Sequence, residues 1–157
     1  MRRSDREITD RQEILAVLDR AHVCRLAMQD EDGLYIVPMN FGYEWPENGD
    51  LTLYFHCAAD GRRVRALRSC PLVAFEMDQE LAQIPAQTPC GYGCLYESMI
   101  GSGQASFLES DAEKQHALAV LMHHQTGKDF SFSPAMTKSV TVFQVTASCF
   151  TVKARRK

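Results

Sequence analysis

Apolar β-type runs and alternating apolar and polar residues recur along this chain, as is typical of strands in a sheet with one covered face. The pattern predicts six strands, at Val23–Gln29, Leu34–Trp45, Leu51–Cys57, Leu72–Asp78, Tyr96–Leu108 and Ser139–Ala154. Turn-forming residues separate the first three strands, with Gly33 at a left-handed position and Pro46–Asp50 as a hairpin loop. The chain is therefore expected to be mainly β.

Only two segments have the period of a long helix. A capping box formed by Thr9 and Gln12 predicts a helix over residues 10–20 with one apolar face. Asp111–Gln125 is expected to form the second helix, with Gly127 as its C-cap. These two helices can cover only part of a six-stranded sheet.

Three shorter segments complete the secondary-structure prediction. Asp60 is expected to cap a short helix that ends at Cys70, because Pro71 cannot continue it. Ser131–Lys138 is expected to contain one helical turn. Gln79–Gly93 holds two prolines and two glycines without a clear period, so it is predicted to be a long loop.

The order of these elements favours one topology. Most strands follow one another through short hairpins, which favours an antiparallel sheet over a doubly wound parallel one. Six strands with few flanking helices are expected to curl and bury their edges, so the pattern allows a barrel or a sandwich. The 157 residues fit a single domain, 1–157, that is long enough to bury a sizeable core.

Charge and hydropathy argue against several classes of protein. The net charge of −3 gives no indication of nucleic-acid binding. No apolar run reaches the ~18 residues of a membrane-spanning helix, and no signal-peptide core follows the charged N-terminus. A cytoplasmic location is therefore expected, and the basic tail Lys153–Lys157 is expected to be solvated.

The six cysteines are expected to be free, because disulfides are disfavoured in a reducing compartment. Cys24 and Cys149 lie in apolar strand-like runs and are expected to be small core residues. Cys90 and Cys94 lie in a glycine-rich segment, but the chain offers no second pair at zinc-site spacing. No metal site is predicted.

A candidate phosphate site follows the third strand. The segment Leu53–Arg63 runs from strand to turn, then through Gly61, Arg62 and Arg63 to the start of a helix. A helix start offers unpaired N–H groups and the positive end of a dipole. Arginine adds a planar, permanently charged fork that matches phosphate oxygens. This order of residues therefore indicates phosphate binding.

The ordered set of segments resembles the pyridoxamine-phosphate-oxidase-like flavoproteins, and most closely their nitroimidazole resistance branch. The resemblance covers nearly the whole chain, through the segments MRRSDREITD, VCRL, IVPMNFGY, LTLYFH with GRR, FEMD, YESMIGSGQA and VFQV. It implies a six-stranded antiparallel split β-barrel of the FMN-binding type. It also implies FMN, or the larger FAD, as cofactor, and a homodimer with each flavin between the subunits.

The resemblance assigns cofactor contacts residue by residue. The flavin ring would lie along Val37, Pro38, Met39, Asn40 and Phe41. The phosphate and ring would be reached by Phe55, His56, Gly61, Arg62 and Arg63. Ser98 aligns with a further polar contact, supplied by the second subunit. Asp60 as a helix cap would compete with the phosphate for the same N–H groups, so its side chain is expected to point elsewhere.

His56 is the candidate catalytic residue. It could donate a proton to a substrate on the flavin or bind an anion when charged; a hydrogen-bonded structural role is the alternative. The histidines of the late helix, His116, His123 and His124, are expected at the surface. The chain has no glycine-rich dinucleotide fingerprint.

Two functions remain open from the sequence. The resemblance implies a flavin-dependent reductase of small molecules, for which nitroaromatic compounds such as 5-nitroimidazoles are the expected substrates. The alternative is a non-catalytic module that binds flavin or haem, in which His56 could serve as a ligand.

Overall fold

The computed structural model describes residues 3–156, so Met1, Arg2 and Lys157 of the predicted domain lie outside the described residues. Eight strands are present in this part of the chain: β1 Glu7–Ile8, β2 Val23–Asp30, β3 Gly33–Asn40, β4 Gly42–Glu44, β5 Thr52–Ala58, β6 Leu72–Ile84, β7 Gly93–Phe107 and β8 Val140–Arg155. The α-helices described are α1 Arg11–Arg20, α2 Arg62–Ser69, α3 Asp111–Thr126 and α4 Pro134–Thr137. Single 3-10 turns lie at Ser4–Arg6 and Pro89–Gly91.

All strand pairs of the sheet are antiparallel, which confirms the predicted topology. The strands lie in the order β3-β2-β6-β7-β8-β5-β4, and β1 pairs with β8. The chain passes from β3 to β4 at Phe41, so the two ends of the sheet are continuous in the backbone. The sheet therefore curls into a split barrel, with a gap between the edge of β3 and the end of β5.

The barrel interior holds the main hydrophobic core. Its fully buried aromatic residues are Phe41, Phe55, Phe75 and Phe143, and the rings of Phe55 and Phe143 stack with centroids 5.2 Å apart. Helix α1 covers one part of the core with Ile14, Val17 and Leu18. This one-faced burial explains why the strands alternate in sequence.

A smaller apolar cluster lies outside the barrel, beneath α3. Tyr54 and Val142 of the sheet pack there against Ala117 and Leu118. Helix α3 also lies directly on β4, because a Cβ atom at Gly42 would overlap the backbone of Leu121. Helix α3 is thus fixed against the barrel by backbone contact, which glycine alone permits.

Several predicted boundaries require correction. The cap of α1 is Asp10, whose carboxylate accepts a 3.0 Å hydrogen bond from the Glu13 N–H, so the capping box at Thr9 is wrong. The single strand predicted at Leu34–Trp45 is two strands, β3 and β4, broken at Phe41. This break and the two-residue β1 account for eight strands where six were predicted.

The predicted loop Gln79–Gly93 is also wrong in its first part. Strand β6 continues to Ile84 and pairs with β7 through Gly93, with a register shift near Glu80 and Ala82. Cross-strand hydrogen bonds stabilise this segment although its side chains do not alternate. By contrast, α3 ends close to the predicted residue, and Gly127 takes the left-handed conformation with its N–H bonded to the His123 carbonyl at 2.7 Å.

The cysteines match the prediction only in part. All six are free, and Cys24 is fully buried. Cys149 is exposed beside Ser102, so its predicted place in the core is wrong. Within residues 3–156, no group of three His, Cys, Asp or Glu side chains is placed to hold a metal ion.

The basic tail is only partly solvated. Strand β8 includes Arg155, and Arg156 makes a 2.8 Å ion pair with Glu13. Among the described residues, no helix has both the length and the apolar character needed to cross a bilayer.

The outer face of the sheet carries an exposed apolar patch. It consists of Leu34, Ile36, Leu72 and Ile100, which the strand register places on the same face. Leu34 is 87% exposed. Most of the apolar residues on β8, by contrast, are buried inside the barrel or under α3.

Candidate functional site

The predicted phosphate turn lies at the split of the barrel. Gly61 is the N-cap of α2, with φ +146° and ψ 173°, a backbone conformation that glycine adopts far more readily than other residues. No side chain caps this helix. The first N–H groups of α2 are therefore available to an external acceptor.

Asp60 is not the helix cap that the sequence predicted. Its carboxylate lies 3.4 Å from Nη1 of Arg65, on the exposed surface. The competition between Asp60 and a phosphate for the same N–H groups is therefore absent in the structure.

Arg62 is held by a carboxylate that the sequence did not indicate. Its Nε and Nη2 donate to the two carboxylate oxygens of Asp30 at 2.7 and 2.9 Å. Its guanidinium also lies over the Tyr35 ring, 4.7 Å from the centroid. The bidentate bond from Arg62 lowers the pKa of Asp30 below its usual value, so this pair is charged at neutral pH. Part of the hydrogen-bonding capacity of Arg62 is thus already used.

Arg63 differs from its neighbour. Its Nε is buried and has no hydrogen-bond partner among the described residues. A buried charged donor without an acceptor is costly, so a bound water, ion or ligand is expected to supply one here. Arg63 lines a cleft of about 190 Å³ together with Tyr35, Cys57, Ala58, Asp60, Gly61, Arg62 and Val64.

His56 lies on β5, with its side chain on the opposite face of the strand from the buried Phe55. Partial burial, and secondarily the positive charge of Arg63, lower the pKa of His56 below its ordinary value. The imidazole is therefore neutral at pH 7 in the protein without a ligand. An anion bound beside Arg63 would offset that charge and favour the protonated imidazole.

The segment predicted to contact a flat ring is largely an edge strand. Strand β3 pairs with β2 only, so its other edge is open at the split. Val37 is half-buried and Pro38 is exposed, as expected for a proline on an edge strand. The side chains of Met39 and Phe41 belong to the core, so only their backbone can face a ring.

Asn40 is the last residue of β3. Its amide donates to the His22 carbonyl at 3.0 Å and to Oε1 of Gln125 at 2.9 Å. Gln125 also donates to the Phe41 carbonyl at 2.8 Å. The end of β3 is thus fixed to α3 by a polar network, which gives Asn40 a structural role; its contact with a flavin ring stays a prediction.

Ser98 is not near the other predicted residues of its own chain. It pairs with Lys153 near the end of β8, whereas His56 pairs with Val142 near the beginning of that strand. Phe55 is likewise separated from the cleft by its position inside the barrel. The structure brings together His56, Gly61, Arg62 and Arg63, with the β3 edge opposite them.

Sequence reasoning missed Asp30 and Tyr35, which orient Arg62. Asp30 lies just before the turn at Gly33, and its pairing with a residue far along the chain arises from packing of the first hairpin on α2. The sequence also predicted His124 at the surface. Its ring centroid instead lies 4.8 Å from that of Phe41 and 5.2 Å from that of Tyr43.

The chain resembles proteins of known family and fold. The family model described as pyridoxamine 5′-phosphate oxidase matches residues 10–153. A candidate 5-nitroimidazole antibiotic resistance protein from Bacteroides thetaiotaomicron is 33% identical, with a TM-score of 0.78, over 94% of this chain and 86% of that one. No curated protein matches.

More distant solved structures share the fold alone. A FAD and haem binding protein from Mycobacterium smegmatis is 16% identical with a TM-score of 0.80, over 97% of this chain and 74% of its own. A candidate pyridoxamine 5′-phosphate oxidase from Listeria innocua is 18% identical with a TM-score of 0.56, over 93% and 98% of the two chains.

Proposed function

The chain belongs to the pyridoxamine 5′-phosphate oxidase family, and on that premise we propose that it is a flavin-dependent reductase of small molecules. FMN is the proposed cofactor, with FAD as the larger possibility. Nitroaromatic compounds such as 5-nitroimidazoles are the proposed substrates, supported by the 33% identity to the candidate nitroimidazole resistance protein.

One observation carries the cofactor proposal. The buried Nε of Arg63 lacks an acceptor beside an α2 N-terminus that no side chain caps. A phosphate group supplies several acceptor oxygens and negative charge, which satisfy both features at once. Arg62, fixed by Asp30 and Tyr35, contributes a second positive charge at the rim of the same cleft.

The remaining residues fit the rest of the cofactor. The open edge of β3 from Val37 to Phe41 offers backbone groups to the polar edge of a flavin ring. When bound, flavin supplies the electron-transfer chemistry that amino-acid side chains lack. The imidazole of His56 would hold a proton near the ring, and phosphate beside Arg63 would make that proton available at neutral pH.

A homodimer is part of the proposal. The apolar patch of Leu34, Ile36, Leu72 and Ile100 is the kind of surface that a second copy covers. Ser98 lies at the far end of β7 and β8 from His56, so it can act in the site only if the partner supplies it. We propose that each flavin lies between two subunits and that dissociation releases it.

A non-catalytic flavin- or haem-binding module is the second candidate. The observation in its favour is His56, whose lowered pKa keeps the imidazole neutral and able to ligate iron at neutral pH. A fold neighbour is described as binding FAD and haem, although its 16% identity extends to the fold alone.

The proposed setting is the cytoplasm. The six free cysteines support it, because thiols persist in a reducing compartment. We propose that residues 1–157 act there as one domain.

The test has two stages. Absorbance and mass spectrometry of the extracted cofactor distinguish FMN, FAD and haem, and we expect FMN. Anaerobic turnover with chemically reduced flavin and a panel of nitroaromatics and quinones then tests catalysis. A protein that binds flavin but reduces none of them would favour the binding module, whereas one that takes up neither flavin nor haem would refute both candidates.

A further inference from the structure

A larger crevice lies apart from the flavin cleft. It has a volume of about 730 Å³ and is bordered by α1, β4, α3 and the segment after α3. It shares no lining residue with the cleft at the start of α2. We call it the α1–α3 crevice, and its size is that of pockets for small organic molecules, ~300–1,000 Å³.

Aromatic rings from three elements line the α1–α3 crevice. Tyr43 and Trp45 come from β4 and the residue after it, Phe130 follows α3, and His124 lies on α3. The Arg11 guanidinium, which is not part of the lining, lies 3.9 Å from the Trp45 ring centroid and covers part of that ring. Aromatic faces of this kind favour a cation with an apolar body.

The charges of the lining are mostly negative. Its carboxylates are Asp19, Glu44 and Asp129, and its basic side chains are His123 and His124. Nδ1 of His123 lies 2.8 Å from Asp129. Burial lowers the pKa of His124, so that ring is neutral at pH 7. No lysine or arginine lines this crevice.

Asp19 is the best placed of these carboxylates. Its Oδ1 accepts a 2.5 Å hydrogen bond from the Tyr43 hydroxyl, which orients the group. Its Oδ2 has no hydrogen-bond partner within residues 3–156, so this oxygen can accept a hydrogen bond from a ligand. Glu44, by contrast, already accepts from Tyr54 at 2.7 Å and lies 3.0 Å from His116.

We propose that the α1–α3 crevice binds a small organic cation with an aromatic or apolar body. The cationic group is held near Asp19 and Asp129, and the body lies against Tyr43, Trp45 and Phe130. Anions are expected to bind more weakly, because three carboxylates line the crevice and the nearest fixed cation, Arg11, lies on Trp45 outside the lining. This site is independent of the flavin proposal, since it uses none of the same residues.

Trp45 makes the proposal directly measurable, because it is the chain's single tryptophan. Three matched probes are titrated into the protein as purified, with emission of Trp45 as the signal: benzyltrimethylammonium, benzyl alcohol and phenylacetate. Ligand-observed NMR gives an independent affinity. We expect saturable binding of the ammonium probe, with an affinity at least about tenfold higher than that of either other probe.

Two variants locate the cation. Asp19→Asn keeps a hydrogen-bond acceptor for Tyr43 but removes the charge. It is expected to lower the affinity for the ammonium probe about fivefold or more. Asp129→Asn changes a side chain that is 96% exposed, so its effect on stability should be small, and it should also weaken binding of the ammonium probe. Glu109→Gln, an exposed carboxylate outside the crevice, is the matched control and should have no effect.

The outcomes are distinguishable. Equal affinity for all three probes would mean a non-selective apolar surface and would overturn the proposal. Absence of any binding at millimolar ammonium probe would overturn it as well. Weakening by Glu109→Gln as large as that by Asp19→Asn would show general charge attraction and not a site.

Discussion

Arg63 is predicted to contribute more to flavin affinity than Arg62. The Nε of Arg63 is buried without a partner, whereas Arg62 already donates two hydrogen bonds to Asp30. A hydrogen bond to a charged group contributes about 1.5–3 kcal/mol. Arg63→Ala should therefore raise the dissociation constant for FMN by about 10- to 150-fold, since about 1.4 kcal/mol corresponds to tenfold.

The predicted effect on folding has the opposite order. Arg63→Ala removes a buried donor that lacks an acceptor, so the free energy of unfolding without flavin should not fall. Arg62→Ala leaves the carboxylate of Asp30, which is only 11% exposed, without its cation. Arg62→Ala should therefore lower the stability of the flavin-free protein. It should reduce the affinity for FMN less than Arg63→Ala does.

The assay is a titration of the flavin-free protein with FMN, followed by quenching of flavin fluorescence, and a urea unfolding curve for each variant. Arg65→Ala is the matched control, because Arg65 lies on the same helix with a side chain that is 66% exposed. Its effect on affinity should stay within about threefold, as for a surface charge. Arg63→Lys keeps the charge without the planar fork, so its affinity should lie between those of Arg63→Ala and the unchanged protein.

Two results would refute this reasoning. If Arg63→Ala binds FMN as tightly as the unchanged protein, the buried Nε does not mark the phosphate position. If Arg65→Ala weakens FMN as much as Arg63→Ala, the effect is general electrostatic attraction to α2.

Four further outcomes are expected. His56→Gln should retain flavin but slow nitroaromatic reduction about 10²- to 10⁴-fold in stopped-flow measurements, and an unchanged rate would remove His56 from the mechanism. Gly42→Ala should lower the free energy of unfolding by about 1–3 kcal/mol, because its Cβ overlaps the α3 backbone; a stability equal to that of the unchanged protein in urea would contradict this. Since burial lowers the pKa of His124, the unfolded chain binds its proton more readily, and stability should fall as pH drops below 6.5; His124→Gln should lessen that fall in urea curves at several pH values. Ile36→Lys should give monomers in size-exclusion chromatography with light scattering, whereas Met136→Lys, also exposed but on α4, should leave the dimer intact.

Features that depend on neighbouring residues could be predicted from the amino-acid sequence. A two-residue period marks a strand with one buried face, so all six long strands were located. The capping residues of α3 act within one helical turn, and Gly127 could be assigned because its left-handed conformation is local. Gly61, Arg62 and Arg63 are consecutive, so the proposed phosphate-binding turn could be recognised in the sequence.

Features that depend on distant segments became apparent from the folded chain. The length of the β6–β7 hairpin comes from hydrogen bonds between strands, which leave no period in the side chains of Gln79–Ile84. The bond between Asp30 and Arg62 joins the first hairpin to α2, and neither residue type reveals the other. Arg62 and Arg63 likewise differ in burial and in hydrogen-bond partners, which depend on packing.

The cleft at α2 and the α1–α3 crevice differ in how far the sequence could predict them. The cleft at α2 is built largely from one continuous segment, so the phosphate binding that we propose for it could be inferred from residue types before any fold was known. The α1–α3 crevice draws Asp19, Trp45 and Asp129 from three separate elements. A local pattern records which residues follow one another, but packing of helices on the barrel determines which of them share a cavity.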